Sequence, residues 1–485
     1  MWLRLMSVGF GVVLLAVVVF AGEADDLLVK AMKQYEQGNV TQAIETLEGA
    51  RQKAPNHKGV LQWLGFLYLR AGRAGEAVPV LEQLVRLAPD DVQAHNNLGN
   101  AYLHTGQPDK ALAQYRRVIQ LKPDFADAHY NMANILMKQG KTGEAIVALQ
   151  TAARLNPRDP YVWMNLGVAL MQANRPKEAV EAFRKGTVLE TRHAPLWANL
   201  GLALHATGNL RDAEAAFTKA LALDARLFPA VLGLAQTLSA QGQDARALTL
   251  FQRAAALQPD SLVAHYNIGV LQARANNLPE AEKAFRRALE LQPQHQETLL
   301  ALAMLYHRNN RLSEAEQAYR ALVEAHPRHT DSWWQLGVVL VQQNKYEEAV
   351  QVWEKLLALA PQHLRARVAL ASLLYRLNRD SEAEEHYKQA LKQDPRNVEV
   401  LNGLGLVCDR QGRLQEAENY LKQAIAINPN YAYAHNNLGV VYEKMGRRNE
   451  AIECYRRALR IDPNYADARN NLQRFTRTTN PVSPP

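Results

Sequence analysis

Pro463, Pro429, Pro395, Pro361, Pro327, Pro293 and Pro259, and again Pro157, Pro123, Pro89 and Pro55, stand 34 residues or a multiple of 34 apart. A fixed period of this length means one helix-turn-helix unit used many times, each copy burying its apolar face only against its neighbours. The register holds without insertion. Twelve residues before each expected proline stands alanine, from Ala43 through Ala179 and Ala315 to Ala451, in all thirteen units. Five residues earlier comes glycine or asparagine in every unit, as Gly38, Gly106, Asn174, Asn310 or Gly446. These residue types enter the left-handed region most cheaply, so the slot is expected to end the first helix of each pair.

A leucine-like residue and glycine recur ahead of that turn, as Leu98-Gly99, Leu166-Gly167, Leu200-Gly201, Leu336-Gly337 and Leu438-Gly439. Folding two helices about the turn is expected to set this glycine opposite the invariant alanine, with leucines and aromatics filling the seam around them. An aromatic nine residues after the turn, such as Tyr115, Phe183, Phe217, Trp353 or Tyr455, reads as core.

In the repeat spanning 92–125, Leu98, Gly99, Tyr102, Ala111, Tyr115 and Pro123 stand in the signature slots of the tetratricopeptide repeat, and the chain resembles that family. The resemblance implies an all-α fold: a right-handed α-solenoid superhelix of about thirteen helix-turn-helix repeats plus a C-terminal capping helix. Residues 24–465 hold the thirteen repeats, 466–475 the capping helix and 476–485 a tail expected to be disordered.

Residues 1–23 begin with Arg4, continue as an apolar run from Leu5 to Phe20 interrupted by Ser7, and reach small residues at Ala21, Gly22 and Ala24. This pattern is that of a signal peptide cleaved after Ala21 or Ala24, or of an uncleaved signal anchor, and it predicts export to the periplasm or the outer face of a membrane. The formal charge of +8 is a small excess of 56 basic over 48 acidic residues spread along the array. Together with export it argues against nucleic acid as a partner, while acidic peptides or anionic polysaccharide stay compatible.

Chemistry is sparse. The chain has no glycine-rich phosphate loop, nucleophile elbow or zinc-protease motif. His95, His129, His265 and His435 share one repeat slot, so stacking keeps them too far apart to ligate one metal ion. Cys408 and Cys454, the only cysteines, sit on a first and a second helix and read as free thiols. No catalytic residue, cofactor or metal is expected, and the chain reads as non-enzymatic. Glu178, Glu280, Glu314 and their equivalents precede the invariant alanine, where they oppose the dipole of the second helix.

One polar series rises above packing: Asn97, Asn131, Asn165, Asn199, Asn267, Asn437 and Asn471 occupy one slot of the first helix. The series resembles the asparagine ladder of the O-GlcNAc transferase repeats, which implies a concave groove holding extended peptide backbones. An amide both donates and accepts, so a row of them can pair with any main chain. Tyr130, Tyr266 and Trp334 lie one residue before the slot and Tyr161 near a helix start, as further groove candidates. A basic row, including Arg70, Lys138, Arg308, Arg410 and Lys444, ends the first helices. The expected function is therefore an exported protein-protein interaction scaffold, binding extended segments to help assemble an envelope or secretion complex. Scaffolding of polysaccharide synthesis or export, and support of a glycosyltransferase partner, are the alternatives; the membrane is a partner if the N-terminal segment stays uncleaved.

Overall fold

The structure is a computed structural model that describes residues 22–477. Residues 1–21, which hold nearly all of the expected signal segment, and residues 478–485 of the expected tail lie outside the described residues. Twenty-seven helices run from Glu23 to Arg477, with no strand among the described residues. They alternate in length, as in Val92–His104 (13 residues) followed by Pro108–Leu121 (14 residues). The chain divides after Pro259 into two compact units. The first carries the helices from Glu23 to Leu257 and the second those from Leu262 to Arg477, each an α-solenoid of stacked antiparallel pairs. The closing helix, Ala466–Arg477, runs two residues beyond the expected end of the cap.

All thirteen glycine or asparagine turn residues take positive φ, from 56° at Asn174 to 84° at Gly38. The turn is a Schellman motif: at Gly106, Gln107 N–H donates to Tyr102 O at 2.8 Å and Gly106 N–H to Leu103 O at 3.2 Å. The second connection, through the proline, ends in a side-chain N-cap on several first helices. Asp91 and Asp159 serve here, and so do His57, His193 and His363, whose ring nitrogens accept a backbone N–H.

The seam between the two helices of a pair differs from the expectation in one respect. The nearest atoms to a Cβ added at Gly99 belong to Tyr115, at 2.8 Å, and at Gly201 to Phe217, at 2.7 Å. Glycine therefore faces the aromatic of the second helix, not the invariant alanine. The ring needs the room: Tyr115, Phe183, Phe217, Phe251 and Phe285 are all buried. The alanines are fully buried as well, which keeps the backbones close. Both cysteines are free thiols.

The shared slot of the recurring histidines has a structural role. His95 Nε2 donates to Pro89 O at 2.9 Å, His129 to Pro123 O at 2.9 Å and His435 to Pro429 O at 3.0 Å. In other repeats Trp163, Trp197 and Trp333 make the same bond through the indole N–H, and Arg367 and Arg469 through the guanidinium. Each ties a first helix to the carbonyl six residues back, at the proline turn or its equivalent, and so fixes the junction between repeats.

The acidic first turns are also more than dipole partners. Arg175, Arg311 and Arg413, each just ahead of a second helix, pair with Glu178, Glu314 and Glu416 three residues on. In the second unit a further set links neighbouring repeats: Glu282 with Arg311 at 2.7 Å, Glu316 with Lys345 at 2.6 Å, Glu384 with Arg413 at 2.6 Å and Glu418 with Arg447 at 2.9 Å.

Candidate ligand-binding face

Within each unit successive first helices approach one another directly, as do Ala194–Ala206 with Phe228–Ala240 and Val398–Arg410 with Ala432–Lys444. No two successive second helices come as close, so the first helices line the inner side of each local bend. The asparagine slot lies on these helices.

Four of the seven amides of that row are engaged in bonds between repeats. Asn131 is buried and donates to Asn100 Oδ1 at 3.3 Å, an oxygen that also accepts the Tyr115 hydroxyl at 2.6 Å. Half-buried Asn165 donates to Asn134 Oδ1 at 2.7 Å and to the Tyr130 hydroxyl at 3.1 Å. In the second unit Asn437 donates to Asn402 at 2.9 Å and Asn471 to Asn436 at 3.0 Å. Buried Asn97 accepts from Gln93, Asn267 donates to its own helix at Val263 O, and Asn199 is half-buried. Asn131, Asn165, Asn437 and Asn471 are thus staples between adjacent first helices, whereas Asn97 and Asn267 bond within their own helix. Buried Asn131 is tied to the Tyr115 hydroxyl as well as to Asn100, whereas half-buried Asn165 keeps its carbonyl as an acceptor.

The aromatic candidates are seated rather than splayed. Trp334 stacks on Trp353 with centroids 5.4 Å apart and planes 14° apart, and Arg365 lies 4.6 Å from its centroid. Tyr161 meets His193 edge-on at 5.8 Å, and Tyr266 packs against Phe285 and His295, burial raising its hydroxyl pKa. Of the basic row, Arg410 binds Tyr375 O and Asn378 of the preceding repeat and Lys444 pairs with Asp409 at 2.7 Å, so both fasten repeats together.

What the sequence reading missed lies three residues beyond the asparagine slot. There Asn100 and Asn134 give way to Leu202 and then to Met304, which is 55% exposed. A cavity of about 540 Å³ opens beside Met304, walled by Leu300, Arg308, Asp331, Trp334 and Arg365. Arg308 and Arg365 have no carboxylate partner among the described residues, unlike Arg311 and Arg413. Near the start of the first unit Tyr35, Trp63 and Phe66 form a mutual edge-on cluster, with Trp63 in the asparagine slot itself. A change of residue class at one slot was the available signal for both.

Four family models tile the array from residue 23 to 465. The tetratricopeptide repeat matches 432–465, and the tetratricopeptide domain of cytochrome c-type biogenesis protein H matches 312–432. The C-terminal domain of cilia and flagella-associated protein 70 matches 23–230 and its middle tetratricopeptide-like domain 231–311. The chain belongs to the tetratricopeptide repeat family. As a tetratricopeptide array it is a protein-protein interaction scaffold.

Solved structures similar to the tetratricopeptide array include the Cut9-Hcn1 hetero-tetramer of APC/C, at 15% identity over 94% of this chain and 96% of that one, with a TM-score of 0.36. MamA is 24% identical over 36% of this chain and 97% of its own, with a TM-score of 0.33. YrrB, described as a tetratricopeptide protein with an unusual peptide-binding site, is 20% identical over 46% and 96%, with a TM-score of 0.31. The comparison with curated proteins found no match. No helix among the described residues is long and apolar enough to cross a membrane.

Proposed function

We propose that the array is an exported scaffold that holds extended protein segments along its first-helix face. One observation carries the reading: this face combines amides in a periodic row with an exposed apolar and cationic cavity at Met304, Arg308 and Arg365. The amides suit a main chain of any sequence, and the cavity suits an acidic or apolar side chain. The aromatic cluster at Trp63 would anchor a second side chain in the same manner.

Export rests on residues 1–23. Of the two cleavage positions, that after Ala21 leaves Gly22 to cap the first helix, where its N–H donates to Asp25 at 3.1 Å. Cleavage after Ala24 would remove that cap, the Glu23–Lys53 pair and buried Ala24. The mature chain is therefore expected to begin at Gly22, which the intact mass of protein recovered from its native compartment tests. Photo-crosslinkers placed at Leu300 and Met304, which line the same cavity, should capture one set of partner proteins in cells, and a crosslinker at outward-facing Val147 should not. Equal capture from Val147, or none from the first-helix positions, would refute the reading.

A further inference from the structure

Near the C-terminal end of the second unit the slot that opens the first helices changes its chemistry. His57, Asp91, His193, Ser261, His363 and Asn397 stand in that slot and cap their helices through a side chain that accepts a backbone N–H. Tyr431 and Tyr465 take their place ahead of the last two first helices, and Tyr431 makes no such cap. Tyr433 stands between the two rings. Its centroid is 5.6 Å from that of Tyr431 with planes 52° apart, and 5.1 Å from that of Tyr465 with planes 61° apart. The outer rings are half-buried, whereas Tyr433 is 56% exposed. A helix cap has been given up for a cluster of rings whose middle member packing leaves uncovered.

The charge beside the rings has one sign. Glu399, Tyr433 and Asp467 share one slot, 34 residues apart, on the successive first helices Val398–Arg410, Ala432–Lys444 and Ala466–Arg477, so a carboxylate flanks the exposed ring on either side. Both carboxylates are exposed, and neither has a basic partner among the described residues, unlike Glu443, which pairs with Arg474 at 2.8 Å. Their fields reach the outer rings. Burial first, and then the charge of Glu399, raises the hydroxyl pKa of Tyr431, while burial and then Asp467 push that of Tyr465 up to about 12. Ring faces are themselves negative and attract cations, so rings and carboxylates favour the same kind of ligand.

We propose that Tyr431, Tyr433 and Tyr465, with Glu399 and Asp467, receive the ammonium group of a lysine side chain carried by an extended segment on the first-helix face. The proposal rests on the scaffold reading and deepens it by naming a side chain that the segment must carry. An ammonium is a compact charge with three N–H donors, which the two carboxylates accept while the rings meet the charge and its methylene stem. A quaternary ammonium offers the carboxylates no N–H. A guanidinium is flat and stacks on one open ring face, whereas these rings are inclined to one another and form a corner. The cavity at Met304, with Arg308 and Arg365, carries the opposite sign, so the second unit has two places of opposite charge at which a segment can be read.

The test uses the full chain and labelled, end-capped peptides of alternating serine and lysine, followed by fluorescence anisotropy at low salt. Saturable binding is expected. Tyr433→Ala should weaken it by at least about ten-fold, as for loss of an aromatic anchor, and Tyr433→Phe should keep it within about two-fold, because the ring face and not the hydroxyl meets the cation. Glu399→Gln combined with Asp467→Asn should weaken binding and flatten its fall with added salt. All three positions are exposed, so thermal unfolding of each variant should stay near that of the parent. A peptide with norleucine in place of lysine should not bind. Crosslinking at Leu300 and Met304 reads a different cavity, so failure of the scaffold reading shows there and failure of this site shows in the peptide titration. No saturable binding of the lysine peptide, equal binding of the norleucine peptide, undiminished binding by Tyr433→Ala, or tighter binding of a trimethyl-lysine or arginine peptide would overturn the proposal.

Discussion

Glycine facing a ring is the most demanding position in each repeat. At Gly201 a Cβ would stand 2.7 Å from the Phe217 ring, so Gly201→Ala should destabilise by about 1–3 kcal/mol through overpacking, read as an earlier unfolding midpoint in urea. Gly143 is the contrast. A Cβ there meets nothing within 4 Å on an exposed helical turn, and Gly143→Ala should stabilise by about 0.4–1 kcal/mol in the same measurement. The turn residues and the invariant alanine were legible in the sequence because each answers to one local requirement that is the same in every unit. The glycine partner was misplaced because spacing fixes which residues share a face, not which of two close positions a large ring occupies. The histidine slot was opaque for a different reason. Histidine, tryptophan and arginine look unrelated until one sees that each brings an N–H to a backbone carbonyl, an acceptor that leaves no mark in sequence. It follows that His129→Trp should keep the unfolding midpoint, and His129→Leu should cost about 0.5–1.5 kcal/mol for the lost hydrogen bond.

Between elements the second unit relies on buried carboxylates. Burial of Glu418 opposes ionisation, but Lys422, Arg447 and Tyr442 bond the carboxylate and hold its pKa below the usual range; Glu316, bonded by Lys345 and Arg320, is shifted the same way. A group whose pKa is lower in the folded than in the unfolded state stabilises at pH values above its unfolded pKa, and that contribution disappears as pH falls through the folded value. Thermal unfolding followed from pH 7 downward should therefore show the melting temperature falling once pH drops below the ordinary glutamate range near about 4.3, and Glu418→Gln should flatten that fall. Arg447→Met, which leaves Glu418 short of a charged donor, should cost about 1.5–3 kcal/mol at neutral pH. The asparagine row belongs to this scale as well. Its period was legible, but its bonding was not, because the partner lies 31 residues back at Asn100 and Asn134 and 35 back at Asn402 and Asn436. Asn131→Ala and Asn165→Ala should each lower stability by about 0.5–1.5 kcal/mol, so a loss of ligand capture in these variants is informative only beside their unfolding curves.

For the molecule as a whole, a repeat array is stabilised by each unit and its contacts with the next, so residues common to every repeat set stability and residues that change from repeat to repeat are free to set recognition. Leu202, Met304 and Arg365 are of the second kind: exposed or cavity-lining, on first helices, and different from their counterparts in neighbouring repeats. Met304→Glu puts this division to the most direct test, because it reverses the chemistry of the cavity at a side chain that packing does not need. Measured together on the full chain, the unfolding free energy should move by no more than about 0.5 kcal/mol, as for an exposed substitution, and recovery of the partners crosslinked through Leu300, in the same cavity, should fall by at least about ten-fold, as for loss of an anchor. Undiminished recovery, or a drop in stability large enough to account for the loss, would contradict the claim that the first-helix face binds the partner.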